Sequence, residues 1–199
     1  ALADVLTARG HEVAFCGTGR GMEKDLVPRA GYSFSVVRIR GFTRRLGFST
    51  LQTLGSIPVA GVDAWRLLRK FRPHCVVGVG AYASGPVVAE AAAMRIPTVA
   101  VEMDAHMGWT NRILSTLVDR VCLSFPDGRC RDEKYVYTGR PLRPSLLTAT
   151  AQDGRDRFGL DAARPLLVVF GGSLGAHTLN QNTLAAFGRR HTPFQIIHV

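Results

Sequence analysis

The sequence predicts an α/β protein built on a mostly parallel open sheet with helices on both faces. Two observations carry this. Short apolar runs alternate with helix-length amphipathic stretches along most of the chain, as in consecutive βαβ units. Near the C-terminal end, Leu166-Leu167-Val168-Val169-Phe170 runs straight into Gly171-Gly172-Ser173-Leu174-Gly175, and residues 176–190 read as a helix. A continuous apolar run followed by glycines and a helix start is a buried parallel strand with an anion-binding turn at its end.

Taken in order, residues 1–9 read as the tail of an amphipathic helix stopped by Gly10. Strand-like runs follow at 12–16, 33–37, 74–79, 98–101, 120–123 and 135–137. Helical stretches at 22–30, 51–71, 86–95 and 108–118 separate most of them. Residues 138–144 carry Pro141 and Pro144 and read as a connector. The predicted organisation is a first domain over 1–145, a linker with a short helix over 146–165, and the start of a second α/β domain over 166–199. An opening helix with no preceding strand, and a last strand with nothing after it, suggest a fragment lacking both ends.

The 199 residues are 46% hydrophobic and 20% charged, enough for a packed core, and the net charge is +10. Such a charge favours an anionic partner, a phosphorylated substrate or a phospholipid surface. Nucleic acid is disfavoured, because no RNP, zinc-finger or helix-turn-helix signature occurs. Cys16, Cys75 and Cys122 lie in apolar runs and read as buried reduced thiols, and neither they nor Cys130 form a Cys-x-x-Cys pair. Cysteine and histidine spacing gives no metal site. No apolar run approaches a membrane span.

Four stretches could carry chemistry. The loop Gly78-Val79-Gly80-Ala81-Tyr82-Ala83-Ser84-Gly85-Pro86 follows one strand and precedes a helix, with Pro86 read at the helix's first turn. With the 171–175 turn it makes two glycine-rich strand ends, one in each predicted domain. Glu102, Asp104 and His106 cluster after the strand at 98–101, where Asp104 or His106 could instead merely cap the next helix. Arg140 and Arg143 sit between prolines, a geometry suited to gripping a diphosphate, or to a solvated basic linker. Finally Arg38, Arg40, Phe42, Arg44, Arg45, Leu46 and Phe48 mix cations with apolar groups as a membrane-surface anchor would. Alternatively, the aromatics fold back onto the helix at 51–71.

Five blocks in this order resemble the MurG family, the N-acetylglucosaminyltransferases of the lipid II pathway. They are Arg9-Gly10-His11-Glu12-Val13, Gly80 to Pro86, Ser124-Phe125-Pro126, Thr138-Gly139-Arg140-Pro141-Leu142-Arg143-Pro144 and Phe170-Gly171-Gly172-Ser173-Leu174-Gly175-Ala176. The resemblance implies a two-domain, Rossmann-like GT-B enzyme at the cytoplasmic face of the bacterial plasma membrane, held there peripherally on the anionic inner leaflet. It would move N-acetylglucosamine from UDP-GlcNAc to the C4 hydroxyl of the muramyl sugar of undecaprenyl-linked lipid I, with inversion, giving lipid II.

By position, Arg143, Gly172, Ser173, Leu174, Gly175 and Asn180 would hold the donor. Gly80, Ala81, Tyr82, Ser84, Gly85 and His106 would meet the acceptor, with Glu102 and Asp104 in support of catalysis. The family's proposed base histidine would precede Ala1, and its uracil- and ribose-reading segments would follow Val199. The chain departs from the pattern at Ala81 and Asp104, and at Arg140, Leu174 and His177. No Asp-x-Asp motif occurs, so no metal and no cofactor are expected. The rivals are a GT-B enzyme using another sugar nucleotide or lipid acceptor, and a non-catalytic domain binding phosphorylated lipid or the membrane surface.

Overall fold

The computed structural model describes residues 1–39, 48–172 and 175–199, leaving aside the side chains of 48–57 and of 81–82. It divides into two compact units, Ala1–Pro141 and Leu142–Val199. The break therefore falls just before Leu142, and residues 146–165 belong to the second unit.

The first unit runs α1 (Leu2–Ala8), β1 (Ala14–Gly17), α2 (Glu23–Arg29), β2 (Ser33–Val36), α3 (Phe48–Phe71), β3 (Val76–Gly78) and α4 (Ala81–Ala93). It continues with β4 (Thr98–Glu102), α5 (Trp109–Leu114), β5 (Arg120–Leu123), a 3₁₀ turn at Gly128–Arg131, and β6 (Tyr135–Tyr137). The second unit holds α6 (Pro144–Thr148), α7 (Ala151–Phe158), β7 (Leu166–Val169), α8 (His177–Phe187) and β8 (Gln195–His198).

Every strand pair is parallel, which is what the β-branched runs separated by helices demand. The expectation of one sheet over the first domain is corrected. Among the described residues β1 pairs only with β2, and β3-β4-β5-β6 form a separate four-stranded ladder.

Apolar packing joins the pieces. Val37, after β2, is buried with Ala60, Ala64 and Leu68 of α3 and Val87 and Ala91 of α4. The adjacent Val88 turns the other way, onto Ala100, Val121 and Leu123 of the four-stranded sheet and Leu114 and Val118 at α5. Small residues at 60, 64 and 91 let α3 and α4 approach closely. At the opposite end of β4, Asp119 accepts hydrogen bonds from the N–H and hydroxyl of Thr98, at 2.8 and 2.9 Å, and pins the start of β5 to β4.

Three readings differ in detail. The glycine-rich stretch at 78–86 is mostly helix: Gly80, at φ +83°, is the N-cap and α4 begins at Ala81, so Pro86 lies inside the helix. A proline six residues into a helix sacrifices one intrahelical hydrogen bond, which the packed α4 tolerates. The proline-rich connector also contains a helix, since Pro144 occupies the first helical position, where its missing N–H is no loss. Cys16 and Cys75 are exposed and Cys122 is half-buried. Cys16 belongs to the two-stranded ladder and Cys75 precedes β3, so neither is enclosed as a residue of a central strand would be.

Arg38 follows β2 and clamps Asp63 of α3, with Nε and Nη2 donating at 2.8 and 2.7 Å and the backbone N–H at 3.2 Å. Chiefly through the guanidinium hydrogen bonds, the Asp63 pKa is pulled down to about 2. A carboxylate whose folded pKa is depressed contributes stability above its unfolded value, about 3.9, and loses it as pH falls through the folded one. The melting temperature of Asp63→Asn is therefore expected to lie below wild type at pH 5, with the gap closing between pH 4 and pH 2. Because the Arg38 side chain is 66% exposed, the gap is small. A gap independent of pH would show that the pair does not act through charge.

Candidate functional site

In the first unit the site is built around the end of β4. Glu102 is 5% exposed, an expensive place for a carboxylate, and each oxygen is compensated. Oε1 accepts from the N–H of Asp104 at 3.0 Å. Oε2 accepts from the N–H of Gly108 and from Nδ2 of Asn111, both at 3.0 Å. Burial alone would raise the pKa, but the hydrogen bonds from Asn111 and from the N–H groups of Asp104, Gly108 and Met103 outweigh it and hold the group below the usual glutamate value. Gly108 is the N-cap of α5 and has no side chain to cap with, so Glu102 performs that task from the preceding strand. Neither Asp104 nor His106 does so. Both are exposed, presented on a loop whose two ends Glu102 ties down.

Arg140 reaches this loop from beyond β6. Its guanidinium donates to the carbonyl of Met103 and lies 3.9 Å from Oδ1 of Asp104. Arg140 is therefore tied to the loop, although the connector around it is largely exposed. Two positions at which the chain departs from the resembled pattern, 104 and 140, thus meet with opposite charges. On the other flank Gly80 caps α4, and a Cβ placed there would stand 3.8 Å from Nδ2 of Asn111. The turns before α4 and α5 are therefore neighbours. Ser84 donates to the carbonyl of Gly80 at 2.8 Å, closing the first turn of α4. Gly85 lies within α4 with its α-carbon facing Thr110, and Ala81 and Tyr82 form the helix's first turn.

In the second unit the glycine turn joins β7 to α8. Gly172 and Gly175 take φ +78° and +73°, backbone that glycine adopts without strain, and the N–H of Gly175 donates to the carbonyl of Gly172 at 3.0 Å. Asn180, one turn into α8, is fixed by His198 of β8 at 3.0 Å. Arg143 is the exposed N-cap of α6, and among the described residues its side chain makes no hydrogen bond or ion pair. Ser173 and Leu174 lie outside the described residues.

So do Arg40, Phe42, Arg44, Arg45 and Leu46 of the basic–aromatic stretch, and the side chain of Phe48. Arg38, its first cation, is committed to Asp63. The structure adds a surface that the sequence reading passed over. Val59, Val62 and Trp65 of α3 are 41%, 47% and 44% exposed, spaced to share one helix face. Arg69 lies over the Trp65 ring at 5.3 Å. The signal was a three-residue apolar period inside the helical stretch at 51–71. No helix among the described residues is long and apolar enough to cross a membrane.

Parallel α/β units with glycines and polar side chains at the C-terminal strand ends are Rossmann-like, the architecture that GT-B glycosyltransferases share. The chain belongs to glycosyltransferase family 28, whose N-terminal domain matches residues 1–123. A relative from Caldanaerobacter subterraneus, named as a UDP-N-acetylglucosamine–N-acetylmuramyl-(pentapeptide) pyrophosphoryl-undecaprenol N-acetylglucosamine transferase, is 38% identical over 94% of the chain and 52% of its own length. The crystal structure of Acinetobacter baumannii MurG superposes with a TM-score of 0.68 at 27% identity, over 99% of this chain and 54% of that one. The fold also matches UDP-GlcNAc 2-epimerase from Neisseria meningitidis bound to UDP-GlcNAc, with a TM-score of 0.60 at 14% identity, over 98% of this chain and 60% of that one. The chain spans about half the length of the curated relatives it matches.

Proposed function

We propose that the full-length protein transfers N-acetylglucosamine from UDP-GlcNAc to the C4 hydroxyl of the muramyl sugar of lipid I, producing lipid II with inversion at the anomeric carbon. The observation that carries this is the 38% identity, over 94% of the chain, to a transferase named for that donor and acceptor. In the reaction the acceptor oxygen forms a bond to the anomeric carbon as the bond to UDP breaks. UDP leaves with the electron pair, and the hydroxyl proton passes to a base. The diphosphate gains charge, which backbone N–H groups at a helix start and a free guanidinium stabilise. The turn of 171–175 with α8 and Arg143 supply groups of this kind, and Asn180, held by His198, lies on the same helix.

On the acceptor side Glu102 acts by position, because both of its oxygens already accept hydrogen bonds. The base is another group. Gly80, Ala81, Tyr82, Ser84 and Gly85 at α4, with Asp104 and His106 on the loop, form the acceptor face. Full-length protein given labelled UDP-GlcNAc and lipid I is expected to release UDP and form the disaccharide lipid. Transfer from another sugar nucleotide, with none from UDP-GlcNAc, would assign it to a different GT-B activity, and binding of lipid phosphate without transfer would make it a non-catalytic domain.

The protein docks on the anionic inner leaflet through the stretch from Arg40 to Phe48 and the α3 face of Val59, Val62 and Trp65, with Arg66 and Arg69 beside it. Each cation near such a surface contributes about 1 kcal/mol. The chain is expected to sediment with anionic vesicles in preference to neutral ones, and added salt should release it. Arg44→Glu with Arg45→Glu should weaken binding further. Undiminished binding by that double variant would remove the stretch from the anchor.

A further inference from the structure

Asn111, in the first turn of α5, is 3% exposed. Its Nδ2 donates to the carbonyl of Val101 at 3.1 Å and to Oε2 of Glu102 at 3.0 Å. Both neighbours are acceptors, so turning the amide over would set oxygen against oxygen, and the orientation is forced. The consequence falls on the other end of the amide. Among the described residues, Oδ1 of Asn111 is the buried side-chain polar atom without a hydrogen-bond partner. Leaving such an acceptor unpaired is unfavourable, a penalty an aliphatic side chain would avoid. The residue is worth keeping only for what Nδ2 does.

We propose that Asn111 is a positioning residue of the acceptor face: it holds Glu102 in the orientation that fixes the loop from 103 to 108, and through that loop it aims Asp104 and His106. The proposal rests on the acceptor-side reading given above. The other hydrogen bonds to Glu102 come from backbone N–H groups, which no substitution except proline removes. Among the described residues, Asn111 is therefore the one side chain that hydrogen-bonds the carboxylate. The amide also lies under Gly80 and so braces the turn before α4 against the same carboxylate.

Around Glu102 the charged groups are few. Asp104 and Arg140 face each other on the loop's outer side. Arg129 of the 3₁₀ turn is paired with Asp127. Arg112 of α5 is drawn over the Trp109 ring, and α4 has no charged residue before Glu90.

The test is Asn111→Asp, equal in shape but placing a second carboxylate against Glu102. Two carboxylates at hydrogen-bond distance cannot both ionise, so the pair keeps one proton with an apparent pKa above that of either free group. A folded-state pKa raised in this way makes stability fall as pH rises. The melting temperature of the variant is expected near wild type at pH 5 and several degrees below it at pH 8, whereas Asn111→Leu should be displaced equally at both. In the full-length protein, Asn111→Asp should lower kcat tenfold or more at pH 8 with partial recovery at pH 6, leaving the KM for UDP-GlcNAc unchanged.

A melting gap that is the same at pH 5 and pH 8 would show that Asn111 does not hold Glu102 and would overturn the proposal. A gap that widens with pH while transfer stays at the wild-type rate would confine Asn111 to stability and overturn its positioning role. Should wild type itself transfer no N-acetylglucosamine, the reading of the function fails, and the melting profiles still decide whether Asn111 sets Glu102.

Discussion

Alanine at position 171 is expected to open the turn between β7 and α8 and to weaken UDP-GlcNAc binding by the full-length protein tenfold or more. A Cβ on Gly171 would stand 2.3 Å from the backbone nitrogen of Ala176, 2.7 Å from its Cβ and 2.8 Å from the carbonyl carbon of Gly175. No real Cβ sits that close, and two of the three obstacles are backbone, so rotating a neighbouring side chain brings no relief. The chain has to move. Overpacking of this kind costs about 1–3 kcal/mol, and the hydrogen bond from Gly175 to Gly172, worth about 1 kcal/mol, is broken as the turn opens. Gly172→Ala is the comparison: it meets no atom within 4 Å and bears only the strain of φ +78°, about 1–2 kcal/mol. Calorimetric melting with titration of UDP-GlcNAc separates them. If Gly171→Ala melts and binds like wild type, the approach of Ala176 to Gly171 is not a constraint on the turn.

What the sequence made legible was the alternation itself. Runs such as Leu166-Leu167-Val168-Val169 read as parallel strands, and each strand came within two residues of its position. The burial expected of this one is corrected: none of its residues is buried and Val168 is 48% exposed, because β7 has only β8 beside it among the described residues. The helix start at Ala81 was not legible. Glycine and proline at 85 and 86 argue for a loop by local propensity, whereas burial of Val87, Val88 and Ala91 on two cores holds α4 helical from Ala81 onward.

The site was legible as a cluster but not as a mechanism of support. Glu102 stood out because an acid ended an apolar strand. That its oxygens return to the N–H of Gly108 and the amide of Asn111, six and nine residues on, depends on the turn of the loop, which spacing does not encode. Asn111 gave no signal beyond being a polar residue early in a helix. Arg140 read as part of a diphosphate grip, with a solvated linker as the alternative, and not as a tie to the loop after β4. Cys16 was misjudged because its apolar neighbours say nothing about which face of its strand is covered.

Arg143→Ala is expected to reduce kcat/KM for UDP-GlcNAc in the full-length protein by tenfold or more while leaving the fold intact. Arg143 precedes Pro144 in extended backbone, at φ −71° and ψ 139°, as a residue before proline must be. With Pro144 locking the first helical position, the backbone carrying the guanidinium is held before any ligand arrives. The side chain is exposed, and among the described residues it makes no hydrogen bond or ion pair, so its removal breaks nothing in the unliganded protein. Circular dichroism and the melting temperature should not change. The loss then belongs to the ligand. A hydrogen bond to a charged group is worth about 1.5–3 kcal/mol, and a bidentate grip on a diphosphate lies at the upper end of that range. Arg143→Lys separates charge from geometry: it keeps the cation and loses the planar fork, so activity between alanine and wild type is expected. The KM for lipid I serves as the internal control and should stay constant in both variants. If UDP-GlcNAc kinetics match wild type in Arg143→Ala, this arginine does not touch the donor, and the diphosphate is held by the glycine turn and groups other than this one.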